Sequence, residues 1–250
     1  MSSQQEIADL TNCDAADSRR EVVDNVIKQR FANRAFTRRP VSKQTVEDIL
    51  EVARFAPSGA NIQPWRVYVL SGTEKDRVSR ALSQAHEEAR DRHSSEYQYY
   101  APQLPEPYLS RRGEFGRRFY GALGIQQSDL VGRAGQTAKN YRFFGAPVGL
   151  IFTIDRRLQV GSWLDLGMFV QNVMIAAGAR GLQTCPQETF AKYHAVLREH
   201  LPISAEEMVV CGMSLGFAED AVARRGSLMP KAPVNEFAKF LGFDHQASNT

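Results

Sequence analysis

Arg30 and Arg34 stand four residues apart in the run Arg30-Phe31-Ala32-Asn33-Arg34-Ala35-Phe36. On a helix that spacing puts two guanidinium groups one turn apart on one face, where both reach the same anion. Further along, Ala56-Pro57-Ser58-Gly59-Ala60-Asn61-Ile62-Gln63-Pro64-Trp65 combines two prolines, a glycine and three side chains bearing hydroxyl or amide groups. It joins a helix-like run to a strand-like one, Arg66-Val67-Tyr68-Val69-Leu70. A turn of this kind sets backbone N–H groups and short polar side chains at a sheet edge, where ligands commonly bind. Together the two segments describe a phosphate clamp followed by a turn that meets a flat ring. Taken singly, the arginines are equally a solvated pair, and Pro57 and Gly59 equally a capped helix end.

Three other places could carry chemistry. Cys185-Pro186-Gln187-Glu188 leaves a long apolar run through Gly-Leu-Gln-Thr-Cys-Pro-Gln. Cys185 has only His194 within reach along the chain, so a buried neutral thiol describes it better than a nucleophile. Between residues 93 and 125, Tyr97, Tyr99, Tyr100, Tyr108 and Tyr120 mingle with three prolines and with Arg111, Arg112, Arg117 and Arg118. That stretch exceeds an ordinary connection, which marks it as a lid or as an arm against a partner. Its tyrosines can stack on an aromatic ring and one of its arginines can pair with a carboxylate. Phe119 and Trp163 are further pocket candidates. Near the end, Lys231-Ala232-Pro233-Val234 follows Arg224 and Arg225, a second basic cluster. The five histidines are dispersed, and no metal-ligand spacing occurs.

These residues need positioning elements. Val22, Val23, Val26, Ile27 and Phe31 fall on helical spacing, ended by Pro40. Ser42 caps a second amphipathic helix carrying Val46, Ile49, Leu50, Ala53 and Phe55. Thr73 to Arg92 predicts a charged surface helix with Val78, Ala81, Leu82 and Ala85 inward, and 126–141 a further helical stretch. Val148 to Ile154 and Met208 to Met213 predict buried strands. Trp163 to Ala179 is apolar on nearly every side, as for a central buried helix. A turn is expected over 178–187, a helix over 190–200, a basic loop over 221–231 and a short amphipathic piece over 234–243. No GxGxxG is present and the strands do not alternate regularly with helices, which disfavours a Rossmann-type sheet. The pattern predicts an α+β fold.

Composition narrows the classes. The chain has 250 residues, enough for one domain with a sizeable core. Its 31 basic and 28 acidic residues leave a net charge of +3, which argues against nucleic acid and anionic membranes as partners. Cys13, Cys185 and Cys211 form no pair of disulfide or zinc spacing, consistent with reduced thiols in the cytoplasm. The acidic N-terminus lacks the apolar core of a signal peptide, and no run is expected to span a membrane. Residues 1–19 are expected to be a flexible lead-in, 20–243 one domain with the lid at about 93–125, and 244–250 a tail.

The clamp and the turn together resemble the nitroreductase family of FMN enzymes. Its first motif usually reads Arg-x-Ser-x-Arg-x-Phe, and its second Pro-Ser-x-x-Asn-x-Gln-Pro-Trp. The likeness runs from about Arg20 to Phe243 and is strongest to the longer bacterial members that include nitrobenzoate reductases. It implies a nitroreductase-like three-layer sandwich, a mostly antiparallel sheet between helices, and a homodimer with FMN in grooves shared by the subunits. It assigns Arg30 to the FMN phosphate and Arg34 to the N1/O2 edge of the ring, with Phe31 and Ala32 between them. Pro57, Ser58, Gly59 and Asn61 would meet the ring and ribityl chain, and Pro186, Gln187 and Glu188 would lie over the ring with a backbone N–H near N5. Lys231 stands where an arginine usually binds the phosphate, and it loses the bidentate fork. Ala32 replaces the usual serine, so one phosphate hydrogen bond is missing. The activity implied is NAD(P)H-dependent reduction of a nitroarene, nitrobenzoate among them, to the hydroxylamine in two-electron, ping-pong rounds. Tyr120, Phe119, Trp163 and Arg117 would contact the small aromatic substrate. Reductive dehalogenation, quinone or enone reduction, and FMN binding without turnover are the rival functions.

Overall fold

The computed structural model describes residues 17–219 and 229–243. A helix α1 covers 17–29, so the last three residues of the expected lead-in are helical, while 1–16 and the tail 244–250 lie outside the described residues. There follow α2 (Lys43–Ala53), β1 (Arg66–Ser71), α3 (Gly72–Ala89), α4 (Tyr108–Ala122), α5 (Leu130–Ala138), β2 (Val148–Asp155), α6 (Val160–Gly178), β3 (Gln183–Gln187), α7 (His194–His200), β4 (Glu207–Gly216) and the single turn α8 (Val234–Phe237). The four strands form one antiparallel sheet in the order β1-β2-β4-β3.

Strand β2 is buried along its whole length, and its period of two divides the core. Val148, Leu150, Phe152 and Ile154 meet α2 and α6 on one face, with Ile49, Phe169 and Val173. Ile151 joins Val78 and Leu82 of α3, Leu197 of α7 and the aromatic run Tyr141–Phe144 on the other. Helices therefore cover both faces of the sheet, in the three-layer sandwich that was expected. Gly149 and Gly212 are demanded by this packing. A Cβ would fall 2.4 Å from the Phe143 ring at Gly149 and 2.6 Å from the Phe190 ring at Gly212.

Local chemistry accounts for the helices. Ser42 caps α2 by accepting from the Thr45 N–H at 3.0 Å, and Val46, Ile49 and Ala53 turn inward. In α3, Val78 and Leu82 are buried and Ala81 and Ala85 partly so. The helix expected over 126–141 is shorter, with α5 giving way to 3₁₀ turns at Lys139–Gly145. Likewise 3₁₀ turns at Glu188–Tyr193 precede α7.

Two expectations are corrected. The helix expected to run through Phe31 stops at residue 29, and 30–42 is irregular apart from bridges at Ala32 and Phe36. Backbone pairing with the sheet edge outweighs the helical spacing there. The stretch 178–187 is only partly a turn, since Gln183–Gln187 is the edge strand β3. A third difference concerns α6, which by length and composition is apolar enough to cross a membrane. Its inner face, with Leu166, Phe169 and Val173, packs on the sheet. Its outer face leaves Val160, Leu164 and Met168 exposed at spacings of four.

Candidate functional site

The clamp is not helical but pairs strand-like with the sheet at two isolated bridges, at Ala32 and Phe36. Ala32 bridges Thr184 of β3 in parallel, and the Asn33 N–H donates to the Thr184 carbonyl at 2.9 Å. Beyond it, Thr37 N–H donates to Phe217 O at 2.9 Å and Glu219 N–H to Ala35 O at 3.0 Å. Phe31, Asn33 and Phe36 are buried, whereas Arg30, Ala32 and Arg34 are half-buried. Arg30 and Arg34 both lie close enough to Cys185 for their charges to act on its thiol, brought there by a non-helical segment where the sequence had suggested a helical turn.

The two arginines adjoin Cys185. Burial pushes the Cys185 thiol up to about 11, and the charges of Arg34 and Arg30 oppose the shift. Cys185 is thus a buried neutral thiol, as expected. Pro186 is exposed beside it, while the Gln187 side chain turns inward. Its Nε2 donates to Asn140 O at 2.9 Å, and its Oε1 accepts from Ser214 at 2.6 Å. Only the backbone of Gln187 is left to face a ligand. Glu188 is half-buried, and burial raises its carboxyl pKa against a hydrogen bond with Ser95 at the base of the lid.

The polar turn is strained and exposed. Ala60, Asn61 and Gln63 all hold positive φ, at 47°, 58° and 51°. Left-handed geometry at three non-glycine residues costs energy and clusters at functional positions. Ser58 Oγ accepts from the Gln63 N–H at 3.0 Å, and the Gly59 N–H donates to Asp165 Oδ2 at 3.2 Å. Pro64 is buried, and Trp65 stacks on Phe169 with centroids 4.8 Å apart. Anchored from below, the turn presents Asn61 and Gln63 outward. Among the described residues, no hydrogen bond or ion pair joins residues 57–63 to Arg30, Arg34 or β3.

The lid covers the clamp. The Arg34 guanidinium lies 4.6 Å from the Phe119 ring centre and 5.7 Å from that of Phe115, and its Nη1 donates to Ala32 O at 3.2 Å. Phe119 is the one buried residue of α4. Tyr120 meets the Phe119 ring edge-on at 5.2 Å, but Tyr120 and Arg117 make no contact of their own with Arg34 among the described residues. They line a separate groove of 630 Å3 on α4, with Arg112 and Arg133. Trp163 meets Tyr97 edge-on at 4.7 Å, and the Tyr97 hydroxyl donates to Val210 O. The four residues expected at the substrate are therefore split among three places. Lys231 is exposed and follows Met229 and Pro230, which lie against α4, while Arg224 and Arg225 lie outside the described residues.

Asp165, Thr184, Phe115 and Glu96 were not singled out from the sequence. Asp165 had a signal, as the sole acid in an otherwise apolar helix. Thr184 and Phe115 had none, because each acts through a neighbour brought by the fold. Glu96 anchors the lid base to Arg156 at 2.9 Å, Arg198 at 3.2 Å and His194 at 3.6 Å.

The Nitroreductase family profile matches residues 27–217, the span from the end of α1 to the end of β4. The chain belongs to the nitroreductase family. Among its relatives, a chloronitrobenzene nitroreductase of Comamonas testosteroni is 42% identical over 219 residues, covering 88% of this chain and 96% of that one. A 4-nitrobenzoate reductase of Pseudomonas putida is 40% identical over 221 residues, with the same coverage. The solved FMN-dependent nitroreductase NfnB of Mycobacterium smegmatis, in complex with NADPH, superposes with a TM-score of 0.83 at 32% identity, over 88% of this chain and 98% of that chain. The family's fold is thus this chain's fold.

Proposed function

We propose that this protein is an FMN-dependent NAD(P)H oxidoreductase that reduces nitroaromatic compounds. The observation that carries this is the pair Arg30 and Arg34 beside Cys185, on a segment bridged to β3, with the Arg34 guanidinium against the aromatic rings of the lid. Two cations and a strained, outward-facing polar turn fit an anionic phosphate and the hydrogen-bonding rim of a flavin. The chemistry that FMN supplies when bound is two-electron transfer from NAD(P)H to the nitro group.

Within that reading Arg30 would hold the phosphate. Arg34 would stand at the pyrimidine edge of the ring, where a fixed cation stabilises negative charge. Ala32 offers no hydroxyl, so the backbone and Lys231 would take a larger share of the phosphate. Ser58, Gly59 and Asn61 would meet ribityl hydroxyls and ring carbonyls, with Pro57 shaping the turn, and the 186–188 backbone would face the ring. Phe119 would exclude water from above Arg34.

We further propose a homodimer, for two reasons. Among the described residues no hydrogen bond or ion pair joins the turn 57–63 to the clamp, so each site would be completed by the partner's turn. The outer stripe of α6 and the exposed Val22, Val23 and Ile27 of α1 offer the apolar area that a stable interface requires. Reduced thiols fit a cytoplasmic setting.

Both relatives named above act on nitroarenes by name, one on a carboxylated ring. In the lid, Arg111 is paired with Glu236, and Arg117 and Arg118 with Glu114. Arg112 makes no ion pair among the described residues and stacks over Tyr100 at 5.1 Å. It is the lid arginine best placed to select a benzoate. Steady-state turnover tests the reading. Purified yellow protein should oxidise NADPH or NADH only when a nitroarene is present and release a hydroxylamine. Arg112→Ala should lower kcat/KM for 4-nitrobenzoate and spare nitrobenzene. NAD(P)H oxidation with quinones but with no nitroarene would move the substrate elsewhere.

A further inference from the structure

We infer that a buried chain of hydrogen-bonding side chains, His86, Tyr193, Tyr141 and Thr189, is a proton relay from a surface cleft to the segment 186–189. The inference rests on the proposed flavin reading, in which that segment faces the ring. Each two-electron round of nitroarene reduction consumes one NAD(P)H and one further proton. Nitro to nitroso releases water, and nitroso to hydroxylamine takes up the same pair. Hydride supplies one hydrogen, so the other must come from solvent.

The links are short. The Tyr141 hydroxyl and Thr189 Oγ1 are 2.7 Å apart, and the Tyr193 hydroxyl and His86 Nδ1 are 2.8 Å apart. Between these pairs the two phenols hydrogen-bond to each other, their rings edge-on at 4.9 Å. Tyr193 is 0% and Tyr141 2% exposed, so the chain between its ends is closed to bulk water. Burial pushes both phenols up, and neither serves as an ionised base. Each passes a proton on by accepting one and releasing its own.

The outer end meets solvent. His86 is half-buried and lines a cleft of 700 Å3 between the end of α3 and α5, with Glu87, Arg90, Val131 and Ala138. Burial and the charges of Arg90 and Lys192 lower its pKa against Glu87, so the ring is neutral at physiological pH. His93 stacks on Tyr193 at 4.9 Å but makes no hydrogen bond to the chain among the described residues. With Nδ1–H donated to Tyr193, Nε2 is left to take a proton in the cleft.

The inner end meets the proposed site. Thr189 is half-buried and follows Glu188 directly. The bond from Gln187 Nε2 to Asn140 O is a second tie between 187–189 and 140–141. The Glu188 carboxyl lies close enough to act on the Tyr141 phenol. With every hydrogen turned inward, a proton taken up at His86 Nε2 releases one from Thr189 Oγ1. The nitro oxygen that leaves as water receives it. The hydroxyls then rotate and the imidazole changes tautomer through solvent, which resets the chain.

Stopped-flow absorbance of the FMN-loaded enzyme tests this by separating the two halves of turnover. Bleaching by NADPH takes up no solvent proton and should keep its rate in Tyr193→Phe and His86→Ala. Recolouring by 4-nitrobenzoate should slow by about tenfold, below the roughly hundredfold of a lost general acid because water still enters past an open lid. In wild type, deuterated water should slow recolouring and spare bleaching. Added imidazole should restore recolouring in His86→Ala and leave Tyr193→Phe slow. Histidine nitrogen NMR of the resting protein should show His86 Nδ1 protonated, with its signal displaced in Tyr193→Phe. Recolouring at the wild-type rate in both variants, bleaching that slows in parallel, or an unprotonated Nδ1 would overturn the proposal. A protein that binds no FMN fails the flavin reading itself, which is a different result.

Discussion

The strand at 30–37 and the lid helix α4 meet at Arg34, yet they are held in opposite ways. The strand is fixed by backbone bonds to β3 and to the end of β4, with Phe31, Asn33 and Phe36 buried behind it. Helix α4 buries only Phe119, and its charged residues face solvent. A cofactor that stays bound calls for the first kind of support, because its partners must not drift. A substrate that comes and goes calls for the second, because local opening is drawn from weakly packed elements. The comparison assigns cofactor affinity to the strand and substrate access to the lid.

Removing a charge from the strand should break this division most visibly. Arg30→Ala should weaken FMN binding about tenfold or more, as for a lost charge-assisted hydrogen bond. Quenching of flavin fluorescence measures it, and a change under twofold would remove Arg30 from the phosphate.

Glycine substitutions compare the two regions without touching chemistry. Gly212→Ala drives a Cβ to 2.6 Å from the Phe190 ring and should destabilise the protein by about 1–3 kcal/mol. Gly116→Ala in α4 meets nothing within 4 Å and should stabilise by up to about 1 kcal/mol through helix propensity. Thermal melts of both variants decide it, and a Gly116→Ala protein that loses stability would mean α4 is packed more tightly than described.

Phe119→Ala should loosen the lid while leaving the strand intact. A cation–π contact contributes about 0.5–2 kcal/mol, so KM for a nitroarene should rise a few-fold while FMN affinity changes less. The reverse pattern would merge the two regions into one.

The smallest effect is expected at the lid base. Burial raises the Glu96 pKa, but Arg156, His194 and Arg198 outweigh burial and hold it below 4.5. A carboxyl depressed in the folded state contributes stability that is present above 4.5 and lost as pH falls through its lower folded value. Hydrogen exchange over 93–107 should therefore quicken in acid before the sheet does, and Glu96→Gln should abolish that pH dependence. Exchange independent of Glu96 would assign the lid anchor to Tyr97 instead.

How much of this was legible in the sequence depended on how local the cause was. Ser42 as a cap, Val78 and Leu82 facing inward, and β2 as a buried strand follow from neighbours in the chain, and they agree with the structure. The strand at 30–37 did not, because its partner is Thr184, far away in sequence, and spacing of four satisfies helix and strand alike. The edge strand β3 was hidden by Pro186, which reads as a turn residue and is tolerated only because it sits at an edge. The apolar outer face of α6 made the helix look wholly buried, whereas Leu164 is 69% exposed in one chain. The substrate residues scattered because Phe119 turns to Arg34 while Arg117 and Tyr120 line the groove next to it and Trp163 packs on Tyr97. Composition alone cannot show which side faces the clamp.

The most direct test of the central claim pairs the strand with the phosphate it is held to bind. Apoprotein of the wild type and of Arg30→Ala would be titrated with FMN and with riboflavin, which lacks the phosphate. The account predicts that wild type prefers FMN strongly, and that Arg30→Ala erases most of that preference while leaving riboflavin affinity nearly unchanged. If Arg30→Ala weakens both ligands equally, or neither, the edge strand does not hold the phosphate and the account fails.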